Sequence, residues 1–283
     1  MSVSVIGVVG AGFMGSGIAE SAAGAGKHVV LYEPESEPLE RSREKLADSM
    51  NRAVARGKLR RDDATSVTER VLYTTRLADL SGADAVIEAI VEDAGVKGEL
   101  FARLDAELPG AEFLASNTSS IPIAELAART SRPERVLGLH FFSPVPVMKL
   151  VEVVVGLGTA PETVAAGETF AQEIGKRPIR TKDRSGFIVN MLLVPYLMAG
   201  VRMYEDGFAS REDIDAGMRL GCGHPMGPLT LCDFIGLDVL YAVCDSLYEE
   251  FKQPGYAPPP LMKRMVASGR LGRKSGRGFY EYE

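Results

Sequence analysis

The 283-residue chain has no tryptophan, only three histidines and only three cysteines. Cys222, Cys232 and Cys244 are an odd set whose spacing matches no common zinc pattern, so neither a disulfide framework nor a metal site is expected. A reducing, cytoplasmic setting fits that usage. Long apolar runs are also lacking: the longest, Gly186 to Val201, falls short of the roughly 20 residues that span a bilayer and is interrupted by Asn190 and Pro195. It reads as a buried helix of a soluble protein, not a membrane segment. The opening MSVSVIGVVG has no basic stretch ahead of a long apolar one, so no targeting leader is expected. Basic residues are in deficit, 32 Lys and Arg against 38 Asp and Glu, and the net charge of -6 argues against a nucleic-acid partner.

What is present is a composition 46% hydrophobic and a length that suggests two domains. Short β-branched runs at Val5–Val9, Val29–Tyr32, Ala85–Ile90, Phe113–Ala115, Val136–Leu139 and Val151–Val155 alternate with helical stretches. That alternation predicts an α/β unit, a parallel sheet covered by helices. Ser36 to Lys58 reads as one long polar helix with an apolar stripe of Leu39, Leu46, Met50 and Ala53. Past Arg184 the pattern changes to helices over about 187–205, 210–220, 227–235, 236–252 and 258–268, so the expected division is 1–184, a Rossmann-type dinucleotide-binding domain, and 185–283, an all-α domain. The first of these helices is apolar nearly all round, more than so small a unit buries alone, and a homodimer through the helical domain is expected.

Gly10-Ala11-Gly12-Phe13-Met14-Gly15 is a G-x-G-x-x-G, a weak signal by itself. Its context is restrictive: it follows the apolar strand Val5–Val9, opens an alanine-rich helix and precedes a second strand ending at Glu33. Gly10 permits the tight turn, Gly12 lets a pyrophosphate approach backbone N–H groups, and Gly15 lets helix and strand pack closely. Glu33 is placed to accept hydrogen bonds from the adenosine ribose and to repel an additional phosphate there, which favours NAD over NADP.

Oxidising an alcohol with such a cofactor needs a group that takes the hydroxyl proton, and histidine ionises near neutrality. His28 precedes the second strand and reads as a surface residue; His224 lies in the turn Gly221–Pro225. His140 ends a strand, where open α/β sheets bind ligands, and is the best candidate base. Glu152, a lone carboxylate in the apolar run Leu150–Val155, either orients that histidine or pairs with Lys149 or solvent on an edge strand. Ser119 and Ser120 follow another strand end, where one serine caps the helix expected over Ile121–Ala128. Asn190 is the single amide in its apolar helix and needs a partner or a wet cleft.

These blocks, with Glu88–Glu92, Ser116–Ser120, Pro144–Glu152, Gly186–Asn190, Pro225–Pro228 and Gly276–Tyr280, resemble the L-3-hydroxyacyl-CoA dehydrogenase family from about Val5 to Tyr282. The resemblance implies an NAD-dependent oxidoreductase acting on an acyl-CoA thioester, with His140 as general base and Glu152 its orienting partner. It implies that Ser119 and Asn190 hydrogen-bond the reacting oxygen and the thioester side, and that Glu92 and Lys97 line the NAD site. The chain carries Ser143, Ser185 and Met191 where family members often have Asn, Pro and Arg, departures that bear on the carrier rather than on the reaction. Rival readings are the same chemistry on an acyl-carrier-protein thioester or a free hydroxy acid, and NAD binding without turnover.

Overall fold

A computed structural model of the chain describes residues 3–282, in two compact units, 3–183 and 184–282. The first unit begins β1 (Val5–Val9), α1 (Phe13–Gly24), β2 (His28–Tyr32), α2 (Ser36–Ala55), α3 (Arg61–Glu69) and β3 (Val71–Thr74). It continues β4 (Ala85–Glu88), α4 (Ala94–Glu107), β5 (Leu114–Ser116), α5 (Ile123–Ala127), β6 (Val136–Phe141), β7 (Leu150–Val155), α6 (Pro161–Glu173) and β8 (Arg177–Lys182). The eight strands form one sheet in the order β3-β2-β1-β4-β5-β6-β7-β8.

The sheet is mixed, not purely parallel. Every neighbouring pair is parallel except β6 with β7, so β7 and β8 run opposite to the rest. The edge strands escape the hydrophobic pattern for different reasons: β3 is only four residues long, and β8 carries Arg177, Pro178, Arg180 and Lys182. Charges and proline on an edge discourage pairing with another chain and also remove the alternation that marks a strand. Beyond the exposed His28 that starts β2, inner strands are largely buried on both faces and apolar except at Glu88, Ser116, His140 and Glu152, as a position between helices requires.

The helix expected over Ser36–Lys58 ends instead at Ala55. Gly57 takes the left-handed conformation at φ +67°, its N–H donating to Val54 O and that of Lys58 to Ala53 O, the paired bonds that close a helix. The chain then turns into α3. Ser120 does not cap a helix over 121–128: α5 starts at Ile123, and the Asp183 carboxylate accepts from the N–H groups of Ile123 and Ala124, both at 2.8 Å.

The second unit is helical: α7 (Val189–Glu205), α8 (Arg211–Cys222), α9 (Pro228–Ile235), α10 (Leu237–Phe251) and α11 (Pro260–Ala267) around a core that includes Leu197, Leu229, Leu240, Cys244 and Met262. Two buried aspartates organise it. Asp215 accepts from Leu229 N, Thr230 N and Tyr280 Oη, and Asp233 from Phe279 N, Tyr280 N and Tyr282 Oη, which ties down the final segment. The apolar stretch beginning at Gly186 is not helical until Val189, and Leu192 is 72% exposed rather than buried. Among the described residues no helix is long and apolar enough to cross a membrane.

Close sheet packing is concentrated at Gly138 in β6, where a Cβ would come within 2.7 Å of Val154 Cβ and 3.0 Å of Ile123 Cδ1. Gly138→Ala is expected to destabilise the chain by about 1–3 kcal/mol through overpacking, seen by calorimetry as a melting temperature lower by several degrees.

Candidate active site

The strand order reverses between β1 and β4, and the crevice at such a point is where doubly wound sheets bind dinucleotides. Gly10 leaves β1 at φ +104°, and a Cβ on it would lie 2.5 Å from Ala89 O, just past β4. At Gly15 a Cβ would sit 1.8 Å from Gly10 O, so α1 rests directly on the loop, whereas a Cβ on Gly12 would meet nothing within 4 Å. Bare backbone therefore faces open space at the start of α1, which Gly12 leads without any side-chain cap and whose first turn holds no acidic residue. Uncapped N–H groups at a helix N-terminus suit a pyrophosphate. Glu33, at the end of β2, accepts from Ala11 N at 3.1 Å and so fixes its carboxylate to the glycine loop. These residues fit NAD.

Beyond β1, the ends of β4 and β5 carry a second cluster. Glu88 is fully buried, its Oε1 taking hydrogen bonds from Lys97 Nζ and Ile90 N, both at 2.7 Å, and its Oε2 one from Ser116 Oγ at 2.6 Å. Lys97, 1% exposed, also reaches Glu92 Oε2 at 3.0 Å. Glu92 Oε1 accepts from Thr118 Oγ1, Ser119 N and Ser120 Oγ. Burial pushes the Glu92 carboxyl up, but the Lys97 charge, the Thr118 hydroxyl and the Ser119 N–H together outweigh it and hold the group below the ordinary carboxylate range. Ser119 is thus positioned through its backbone by Glu92, and Glu92 by Lys97.

The third group spans β6 and β7. His140 and Glu152 are direct cross-strand partners, and Nδ1 lies 2.7 Å from Glu152 Oε2. Glu152 is 0% exposed and β7 is an interior strand, so the alternative of an edge carboxylate paired with Lys149 does not hold. The ring of His140 stacks at a tilt on Phe142, centroids 4.6 Å apart. Asn117 Oδ1 accepts from Phe141 N at 2.9 Å, so the polar end of β5 is bolted to the strand that carries His140. A carboxylate accepting at Nδ1 fixes the tautomer and puts the basic lone pair of neutral imidazole on Nε2.

The first unit therefore gathers His140, Glu152, Ser119, Glu92 and Lys97, and Glu33 with the glycines, along the edge of one sheet. Asn190 belongs to the second unit, half-buried in the first turn of α7. His28 is exposed, and His224 bonds to Tyr196 Oη at 3.1 Å after the end of α8. Glu88 and Asn117 enter the sequence pattern only as members of the blocks Glu88–Glu92 and Ser116–Ser120; the one signal for Glu88 is a charge closing the apolar strand Ala85–Glu88, nine residues before Lys97.

Residues 5–184 match the NAD binding domain of 3-hydroxyacyl-CoA dehydrogenase, and residues 186–282 match its C-terminal domain. The chain belongs to the 3-hydroxyacyl-CoA dehydrogenase family. Among family members, a Mycobacterium tuberculosis 3-hydroxybutyryl-CoA dehydrogenase is 51% identical over 283 residues, 99% of each chain. Human mitochondrial hydroxyacyl-coenzyme A dehydrogenase is 43% identical, over 98% of this chain and 90% of that one. The crystal structure of M. tuberculosis FadB2 superposes with a TM-score of 0.98 at 51% identity, and that of (S)-3-hydroxybutyryl-CoA dehydrogenase from Ralstonia eutropha with 0.95 at 44%, each covering 100% of both chains.

Replacing Glu33 by Gln keeps an acceptor for Ala11 N but removes the charge. The ratio of kcat/KM for NADH to that for NADPH is expected to fall by roughly 10- to 100-fold, as loss of a charge-assisted hydrogen bond would give, and steady-state rates with the two coenzymes measure it.

Proposed function

We propose that the chain catalyses the reversible, NAD-dependent oxidation of a short-chain L-3-hydroxyacyl-CoA, such as 3-hydroxybutyryl-CoA, to the 3-ketoacyl-CoA. The observation that carries this reading is the buried His140–Glu152 pair, 2.7 Å apart at the sheet edge that also bears the dinucleotide loop. The full-length similarity to 3-hydroxybutyryl-CoA dehydrogenases supports the choice of substrate.

Bound NAD supplies the acceptor for the hydride that leaves C3. The chain's own residues manage the proton. His140 Nε2 takes the 3-hydroxyl proton as the C3–O bond gains double-bond character, and the imidazolium formed is stabilised by Glu152 at Nδ1. In the reverse direction the same imidazolium returns the proton to the carbonyl oxygen. Ser119, held through Glu92, is assigned as a hydrogen-bond donor to the reacting oxygen, and Asn190 as a donor toward the thioester. Glu92 and Lys97 are assigned to the wall of the NAD site, where Lys97 acts by fixing Glu92, since its ammonium is itself buried.

The same reading makes the chain a cytoplasmic homodimer through its helical unit. Three free cysteines support the first part, and the exposed apolar side chains of Leu192, Phe208 and Leu220 support the second.

NADH consumption with acetoacetyl-CoA, run beside NADPH and beside free acetoacetate and acetoacetyl-acyl-carrier protein, tests the reaction and the carrier together. Fast, NADH-specific turnover of the CoA ester is expected; faster turnover of either other carrier would reassign the substrate, and NADH binding with no turnover of any would remove the activity. His140→Gln is expected to bind NADH as the parent does while kcat falls by about 10²- to 10⁴-fold, and full activity in that variant would exclude His140 as the base.

A further inference from the structure

Residues 142–149 join β6 to β7, and so connect the strand bearing His140 to the strand bearing Glu152. The loop is short of regular structure, and its carbonyl groups have to find donors. Val147 N and Met148 N both donate to Pro144 O. Val145 turns into the core, 2% exposed, against α1, where Gly17 leaves room for it: a Cβ on Gly17 would lie 2.9 Å from Val145 Cβ. The carbonyls of Val145 and Met148 take hydrogen bonds from one donor, Lys176 Nζ, that to Met148 O measuring 2.9 Å.

Lys176 is 8% exposed and is placed by its own backbone. Helix α6 closes with Gly175 at φ +74°, Gly175 N donating to Gln172 O and Lys176 N to Ala171 O, so the side chain leaves a fixed point just before β8. Burial and the charge of Lys149 pull its ammonium below the ordinary lysine range, against the opposing pull of Glu20. An apolar side chain could fill the same space but would leave both carbonyls without this donor.

We propose that Lys176 is a positioning residue for the reaction: by binding the carbonyls of Val145 and Met148 it fixes the β6–β7 loop, and through Phe142 the ring of His140 against Glu152. The proposal rests on the assignment of His140 as base. Lys176 acts only through the loop, whose first residue, Phe142, packs on the imidazole.

The test uses Lys176→Met and Lys176→Arg in the full chain. In Lys176→Met, NADH affinity by fluorescence titration is expected to stay within about twofold while kcat with acetoacetyl-CoA falls by about 10- to 100-fold, the usual result of a small misplacement. With three histidines in the chain, their imidazole NMR signals are separable by comparison with His140→Gln. The His140 signals should move in Lys176→Met while those of His28 and His224 stay, and Lys176→Arg, which donates to both carbonyls, should recover most of the lost kcat and the parent signals. If Lys176→Met does not fold, Lys176→Gln, a shorter, neutral side chain that keeps amide N–H donors, is expected to show the same changes in smaller degree. A folded Met or Gln variant with parent kcat and unmoved His140 signals would overturn the proposal. So would a loss of NADH affinity and melting temperature in step with kcat, with no recovery in Lys176→Arg. If the parent turns over no thioester, the functional reading fails, and the NMR comparison still decides whether Lys176 positions His140.

Discussion

A carboxylate taken wholly out of water has to be met by donors, and the sheet holds two such groups at the edge where β1, β4, β5 and β6 end. Glu88 and Glu152 are both 0% exposed. Left unpaired, either would be strongly destabilising, since breaking a buried pair by removing one partner costs about 3–5 kcal/mol. Each is met in a different way. Glu88 closes its own strand and takes Lys97, Ser116 Oγ and Ile90 N. Glu152 stands third in β7 and meets His140 across the sheet. A residue so early in a strand reaches the carboxyl edge of its neighbours only if that strand runs the other way. The reversal of β7 is therefore the topological condition for the His140–Glu152 pair.

The two buried carboxylates belong to one connected frame. Glu88 with Glu92 and Lys97 carries one formal negative charge, and hydroxyl and backbone N–H groups of residues 116–120 satisfy the remaining oxygens. Asn117 extends the frame sideways to the backbone of Phe141, beside His140. Polar groups fixed before any ligand arrives need no reorganisation when charge develops, which is how a low-dielectric site favours proton and hydride movement. The dinucleotide loop works by the opposite means: Gly10 and Gly15 are crowded by backbone, while open space at Gly12 leaves N–H groups bare.

The inner part of this architecture was legible in the sequence because strands buried on both faces are continuous β-branched runs and the glycine loop falls at a fixed place between them. The edges were not. Strand β3 is too short, at four residues, to show a period, and in β8 the charges and proline that keep other chains off the edge also erase the alternation. Helix ends shifted for a related reason: Gly57 stops α2 through its backbone conformation, a choice visible only as a glycine among many. Of the site, Glu33, His140 and Glu152 stood out as polar residues closing or interrupting apolar strands. Glu88 fits the same description, yet of its partners one is a backbone N–H, that of Ile90, and the others, Lys97 and Ser116, lie nine and 28 residues away. Lys176 has no sequence signal beyond following the glycine that ends α6, because its ligands are carbonyl oxygens, which every residue has.

The entry to the second unit shows the same economy of placement. Gly186 at φ +79° and Phe187 at φ +48° precede α7, and Phe187 is 3% exposed. A bulky residue in the left-handed region is strained by roughly 1–3 kcal/mol and persists only where its surroundings over-determine it. Here the surroundings are tight: a Cβ on Gly186 would lie 2.6 Å from Leu247 Cδ2, and Ser185 is buried with its hydroxyl 3.5 Å from that of Ser246. A segment that served only to connect two units would relax into ordinary backbone. Strain held by packing instead fixes where α7 begins and therefore where Asn190, in its first turn, is presented. The position of that amide is set by the core of the second unit, just as the position of His140 is set by the sheet of the first.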